Sequence, residues 1–391
     1  MQDKMTAARG EIRPGRDPIR GPRQDAEKPA VAGGDGRRRF PAAYRVLEEA
    51  IAERAFPGCA FGVMAKGEVL LGDALGRFTY EDGAPAVMPE TVFDIASVTK
   101  VAATTAAAML LCQRGKLDLD LALGELLPGF VVGRQRGDRA REVTLRHLLA
   151  HNSGLPGYVE LFRKAGTPSE LFRACLELPI EAEPGTRMEY SDPGFILLGK
   201  ALEIVMREDL AAWTRRQIFD PLEMRSTGFV PAAWKRSAIP PTEEDTTFRM
   251  RRIQGEVQDE NAWVLKGVAG HAGLFSNVPD LLRLAGEVLA GARCKGQLFD
   301  QRAVQYFAER QPPEGSSRAL GWDTPSPQSS SGRHFSERSI GHLGYSGCSM
   351  WIDPEAEIAV VLLTNRTWPN RQGEQIKQVR PAFHDAIRQA I

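Results

Sequence analysis

Histidine is scarce and scattered: the 391 residues hold six, with no H-E-x-x-H spacing. Cysteine is as thin, five residues with no C-x-x-C pair. A metal centre gathers such ligands at close spacing, so no metal site is expected. Cys59, Cys112, Cys175, Cys294 and Cys348 are odd in number, far apart and mostly set among apolar residues. They read as buried free thiols rather than a disulfide framework. Net charge is lacking too, since 50 Lys and Arg balance 50 Asp and Glu. That balance offers no field for nucleic acid or an acidic membrane surface. No apolar run approaches the roughly twenty residues of a membrane span. The start has no apolar secretory segment, so the chain as written is expected in the cytoplasm. A misassigned start codon would open a periplasmic or secreted location.

Enough apolar sequence is present for a sizeable core, 42% hydrophobic against 26% charged residues. Residues 1–39 do not share in it. They are rich in Arg, Gly, Pro and Asp, lack apolar periodicity, and are expected to form a disordered tail. From 40 onward the pattern is that of a single α/β (α+β) domain. A helix from Pro41 is followed by strands Cys59–Met64 and Glu68–Leu75 around a Lys66-Gly67 turn. Ile358–Thr364 is the clearest buried strand, and 375–391 a closing helix. Strand signals thus sit at both ends, over 56–80 and 318–365, with a mainly helical part over about 97–290. An antiparallel sheet assembled from distant segments, flanked by helices and interrupted by a helical insertion, follows. A cleft between the two parts is the natural place for a site. Residues 231–266 are polar and aperiodic, a length of loop expected to be functional or poorly ordered.

The centre of this pattern is Phe93-Asp94-Ile95-Ala96-Ser97-Val98-Thr99-Lys100, followed by the Ala-rich run 101–111. The run predicts a buried helix with Ser97 in its first turn. Ser97 and Lys100, three apart, then share one face. Free backbone N–H groups and the positive helix end surround the serine, which favours an oxyanion there. A neighbouring lysine can take the hydroxyl proton and make a weak nucleophile competent. Roughly one S-x-x-K would arise by chance in a chain this long, so the pair alone decides little.

Two further pieces follow in order, Tyr190-Ser191-Asp192 and His342-Leu343-Gly344. With Leu148–Pro156 and Gly270–Ser276 as flanks, the three pieces resemble the serine β-lactamase and penicillin-binding-protein superfamily over residues 41–391. Class C β-lactamases, DD-peptidases and related esterases and D-aminopeptidases are the nearest branches. The resemblance implies an acyl-enzyme at Ser97, with Lys100 and Tyr190 sharing proton transfer and no cofactor. It also implies an oxyanion hole from the backbone N–H groups of Ser97 and Tyr345, and His342 and Gly344 on a strand lining the cleft. Tyr158 and Trp322 are loop aromatics expected at the cleft rim, whereas His271 reads as structural. His147 and His151, four apart without a third ligand, are expected in structural or capping roles.

Two positions depart from the pattern. Asp192 stands where β-lactamases usually have Asn, and a carboxylate cannot donate to a substrate amide carbonyl. It is expected to bind a substrate amine or to pair with a lysine. His342 stands where a permanent Lys cation is usual, and histidine is mostly neutral near pH 7. Both favour hydrolysis of a carboxylic ester or a small amide such as a D-amino-acid peptide. A true β-lactamase or DD-carboxypeptidase is the alternative, and a silent module holding a peptidoglycan fragment is the second. The expected partner is a small-molecule substrate.

Overall fold

Two residues with left-handed backbone, Lys66 (φ 52°) and Gly67 (φ 84°), reverse the chain between β1 (Gly58–Ala65) and β2 (Glu68–Gly76). A two-residue turn of this kind matches the twist of a hairpin, and Ala65 pairs with Glu68 beside it. The computed structural model describes residues 33–391. Of the tail expected over 1–39, residues 1–32 lie outside that range. The remainder is a correction: Gly33–Arg39 is a helix that runs up to the next, Pro41–Ala52.

Short strands punctuate the middle of the chain: β3 (Phe93–Asp94), β4 (Gly228–Phe229), β5 (Glu243–Asp245), β6 (Arg251–Ile253) and β7 (Leu274–Ser276). At the far end come β8 (Ile340–Leu343), β9 (Ser349–Asp353) and β10 (Ile358–Thr364). The main sheet has the antiparallel order β2-β1-β10-β9-β8, so both chain ends build it. β1 and β10 are buried along their whole length. A strand covered on both faces shows no polar alternation, which is why β10 reads as one apolar run.

One face carries Phe61, Val63, Trp351, Val360 and Leu362 against Tyr44 and Leu47 of the first helix pair and Phe383 of the closing helix Ile376–Arg388. The other carries Ala60, Ala359, Val361 and Leu363 against Leu281, Leu282 and Ala285 of helix Val278–Ala292. Each large apolar side chain buried here contributes about 1.5–3 kcal/mol. The sheet is therefore clamped between helix layers, and its edge strand β8 faces the helical insertion.

The loop expected over 231–266 is ordered. β5 and β6 pair as a ribbon, and a helix follows at Glu260–Val264. Charges hold it: Arg371 spans Glu243 and Glu260, and Arg249 joins Asp245 and the Val257 and Gln258 carbonyls. No helix among the described residues is long and apolar enough to cross a membrane. No disulfide joins the five cysteines; Cys59, Cys175 and Cys348 are buried, Cys112 half-buried and Cys294 exposed.

Candidate active site

The nucleophile loop begins on β3. Asp94 is buried and accepts on both oxygens, from the Ala96 N–H (2.8 Å) and the Gln258 N–H (2.7 Å). The first bond helps hold Ala96 at φ 47°, a left-handed conformation that alanine rarely adopts. The chain then enters one 3₁₀ turn, Ala96–Val98, widens through Lys100–Thr105 and settles into the α-helix Ala106–Gln113. Ser97 stands in the first turn, where the sequence pattern predicts it. The Thr99 hydroxyl accepts the Leu274 N–H and ties this turn to β7.

Lys100 is fully buried, and its ammonium donates to Ser97 Oγ (3.0 Å), Asp192 Oδ1 (2.6 Å) and the His271 carbonyl (3.3 Å). Burial alone would weaken its hold on the proton. Asp192 and Tyr190 outweigh burial and raise it above the ordinary lysine value.

Tyr190 and Asp192 arrive together at the start of helix Asp192–Met206. Ser191 caps that helix by accepting the Gly194 N–H and donating to the Pro156 carbonyl. Its own N–H donates to His151 Nδ1, and the His151 ring lies against Tyr190 at 4.5 Å. The Tyr190 ring also meets Lys100 Nζ at 4.7 Å and the Arg318 guanidinium at 5.0 Å. Burial raises the phenol above its usual value, with Asp192 adding to the effect and Lys100 and Ser97 opposing it.

The third piece is β8. His342 is buried, and burial, Arg318 and Lys100 drive it well below the usual histidine value, so it is neutral. Nδ1 donates to the Leu343 carbonyl at 2.8 Å, leaving Nε2 a bare acceptor with no partner among the described residues. Gly344 passes so close to the Ile95 carbonyl oxygen that a Cβ would strike it. Arg380, on the buried face of the closing helix, donates to the Gly344, Gly347 and Cys348 carbonyls and fixes this loop. The N–H groups of Ser97 and Tyr345 donate to no acceptor among the described residues.

Ser97, Tyr190, Asp192, His342, Gly344, Tyr345 and Tyr158 line one open cavity of about 670 Å³. Trp322 does not: it is 1% exposed in the main core. Its expected place on the rim is corrected, because the Ala319–Trp322 segment packs inward. Tyr158 is half exposed on the rim, and Tyr345 stands there beside Arg366. His147 completes a helix cap with Thr144, and His271 Nε2 donates to Asp259 Oδ1, 2.9 Å away. Among the described residues no His, Cys, Asp and Glu cluster is placed to hold a metal.

Sequence reasoning missed Asp94, Asp259, Arg318 and Arg380. Arg380 left a trace, a charge at the apolar spacing of Ile376, Val379, Phe383 and Ile387. Asp94 ends a two-residue strand, and Asp259 and Arg318 stand outside helices and strands, where no period marks which way a side chain faces.

The model of the beta-lactamase family matches residues 43–381. The chain is 32% identical to an N-acetylmuramyl-L-alanine amidase of Bacillus subtilis, over 82% of this chain and 80% of that one. It is 28% identical to a putative D-alanyl-D-alanine carboxypeptidase of Salmonella typhimurium, over 80% of each. Among solved structures, EstCE1, a hydrolase with promiscuous acyltransferase activity, superposes with a TM-score of 0.71 at 24% identity, over 90% of this chain and 99% of that one. A class C beta lactamase from Rhodobacter sphaeroides gives 0.68 at 22%, over 89% and 99%.

Proposed function

Because the chain belongs to the beta-lactamase family, we propose that it is a serine acyl hydrolase whose nucleophile is Ser97. The reading is carried by one observation, the buried Lys100 ammonium 3.0 Å from Ser97 Oγ on the wall of an open cavity. Ser97 Oγ attacks a carbonyl carbon, and its proton passes to the Tyr190–Lys100 pair in the form that holds one proton fewer, a Tyr190 phenolate beside the Lys100 ammonium. A phenol alone, with an ordinary pKa of about 10, needs a cation beside it to serve near neutrality. The oxyanion is received by the Ser97 and Tyr345 N–H groups. On collapse the leaving group takes the proton, and water repeats the sequence to release the acid.

The substrate is a carboxylic ester or a small amide. Asp192 in place of an amide, and a neutral His342 in place of a cation, favour these over β-lactams. The relatives named for an amidase and for a carboxypeptidase keep amide bonds of cell-wall peptides within this class.

A fluorophosphonate probe tests the reading, because it reacts only with an activated serine. Wild type should label and Ser97→Ala should not, with the same thermal midpoint. p-Nitrophenyl esters, D-amino-acid amides and nitrocefin then rank the substrates. A wild-type protein that is folded and does not label would reject the proposal and favour a silent binding module.

A further inference from the structure

Asp192 and His342 leave Tyr190 short of positive charge. The Lys100 ammonium lies 4.7 Å from the tyrosine ring, but the Asp192 carboxylate sits on that ammonium at 2.6 Å and acts on the phenol in the opposite sense. His342, 5.9 Å from the same ring, is neutral. A lysine and a carboxylate together offer no net charge to hold a phenolate. Most cations lining the cavity are engaged elsewhere. Arg371 pairs with Glu243 and Glu260, and Lys377 with Glu374. Arg366 donates to the Tyr345 and Gly373 carbonyls, and Arg380 to three carbonyls behind the oxyanion loop. Of the other acids at the Ser97 end, Asp94 is held by two backbone N–H groups and Asp259 by His271 and the Ala262 N–H.

Arg318 is placed differently. It lines the cavity, and its guanidinium carbon lies 5.0 Å from the centre of the Tyr190 ring, within the range of a cation–π contact. Its Nε is buried and donates to nothing among the described residues. Asp323 is 3.8 Å away, too far for a hydrogen bond, and the same carboxylate oxygen already accepts the Ser317 hydroxyl and the Thr324 N–H. The two histidines beside Tyr190 report where this charge acts. His151 packs on the ring at 4.5 Å and His342 at 5.9 Å. Burial drives both well below the usual histidine value, and Arg318 is the strongest charge acting on each, ahead of Lys100. Asp323 therefore does not cancel the guanidinium at Tyr190's flanks.

We propose that Arg318 is the cation that enables Tyr190 to serve as the base, in place of the lysine that the family pattern puts on β8. This rests on the serine-hydrolase reading above. An ionised tyrosine spreads its charge into the ring, so a cation over the ring face favours phenolate over phenol. The Ser97 proton passes to the Tyr190 oxygen as the Oγ–carbon bond forms, and on to the leaving group as that bond breaks. Arg318 takes no proton, since a guanidinium stays charged at every working pH, and Lys100 remains an ammonium throughout. Arg318 acts through Tyr190, so it is a positioning residue. A lysine at 342 beside it would set three cations around one ring, which makes the two arrangements alternatives.

Arg318→Met keeps the length of the side chain and removes its charge. Timed fluorophosphonate labelling between pH 6.5 and 10 follows the fraction of the Tyr190–Lys100 pair that holds one proton fewer. The rise of rate with pH should move up by about one to two pH units in this variant, the Coulomb effect of one charge at this distance with an effective ε of about 20 to 40. Labelling at pH 7 should fall by about 10- to 100-fold, and the deficit should close toward pH 10. Asp94 titrates in every variant and drops out of the ratio to wild type. Arg318→Lys, which restores a cation, should stay much closer to wild type. Lost packing alone would give a deficit that is constant with pH and shared by the lysine variant. A wild-type profile in folded Arg318→Met, a deficit independent of pH, or a lysine variant as slow as the methionine one would overturn the proposal. Thermal midpoints verify folding, and Arg318→Gln gives the same comparison if the methionine variant does not fold. A labelled wild type with an unmoved variant profile loses only this inference, while an unlabelled wild type loses the serine-hydrolase reading as well.

Discussion

Replacing Asp94 by asparagine tests how the nucleophile is held. The carboxylate accepts two backbone N–H groups, one beside Ser97 and one from the opposite wall. An amide offers one oxygen and one NH₂, so one of the two N–H groups must face another donor. A lost hydrogen bond to a charged group costs about 1.5–3 kcal/mol. If that loss falls on the placement of Ser97, acylation slows by about 10- to 100-fold. Stability moves with the opposite sign. Burial lifts Asp94 from its ordinary value to about 6, so the folded protein binds this proton more tightly than the unfolded chain does. The stability it lends is complete below the ordinary carboxylate range and is lost as pH rises through about 6. Two units at 1.36 kcal/mol each make this about 3 kcal/mol. Asparagine has no such proton. The stability of wild type minus that of Asp94→Asn should therefore fall by about 3 kcal/mol between pH 3.5 and 7. Over the same range the wild-type labelling rate should rise through pH 6, because the neutral acid presents an O–H where an acceptor is needed. Glu260, also raised by burial, titrates in both proteins and drops out of the difference. Urea unfolding and timed fluorophosphonate labelling at five pH values provide both curves. Parallel stability curves, or an acid limb that survives in the variant, would refute the reasoning.

Lys100→Ala should lose labelling nearly as completely as Ser97→Ala, since groups acting as a unit are not additive; timed labelling over hours measures it. Gly344→Ala should lower kcat at least tenfold on every substrate, because its Cβ meets the Ile95 carbonyl and pushes the loop that carries the Tyr345 N–H. His342→Lys should lower the thermal midpoint at pH 7, since the new ammonium is buried beside Arg318 and Lys100. Its deficit should shrink as pH approaches 10 and that lysine becomes neutral, which a midpoint series against pH records.

Local chemistry was legible in the sequence wherever a period or a turn encodes it. β1, β2 and β10 declare themselves by apolar runs, Lys66-Gly67 by its turn, and Ser97–Lys100 by spacing on one helix face. Facing was not legible in loops. Trp322 and Tyr158 look alike as isolated aromatics, yet one fills the core and the other the rim; the Trp322 segment is tied inward by distant chain, as where the Gly321 N–H donates to the Leu149 carbonyl. The ordered segment 231–266 is the same case. Its shape depends on Arg371 reaching back to Glu243 and Glu260, pairs with no sequence neighbourhood.

Charge states belong to a third category, since residue type sets the sign and burial sets the rest. Asp192 was expected to bind an amine or pair with a lysine, and it pairs with Lys100 through one oxygen while leaving the other in the cavity. His342, expected to be mostly neutral, is neutral for a stronger reason than its ordinary pKa: it is buried near three cations, Arg318, Lys100 and Arg380. The two departures from the Asn and Lys pattern therefore act in one direction. One adds a negative charge next to the nucleophile and the other removes a positive charge from the facing strand. Altered at both, the site has no lysine ammonium on β8, and the cations lining its cavity are those of Arg318, Arg366, Arg371, Lys377 and Arg380. Both changes therefore weaken the case for β-lactam recognition: Asp192 cannot donate to a side-chain amide carbonyl, and a neutral His342 offers a carboxylate no fixed charge.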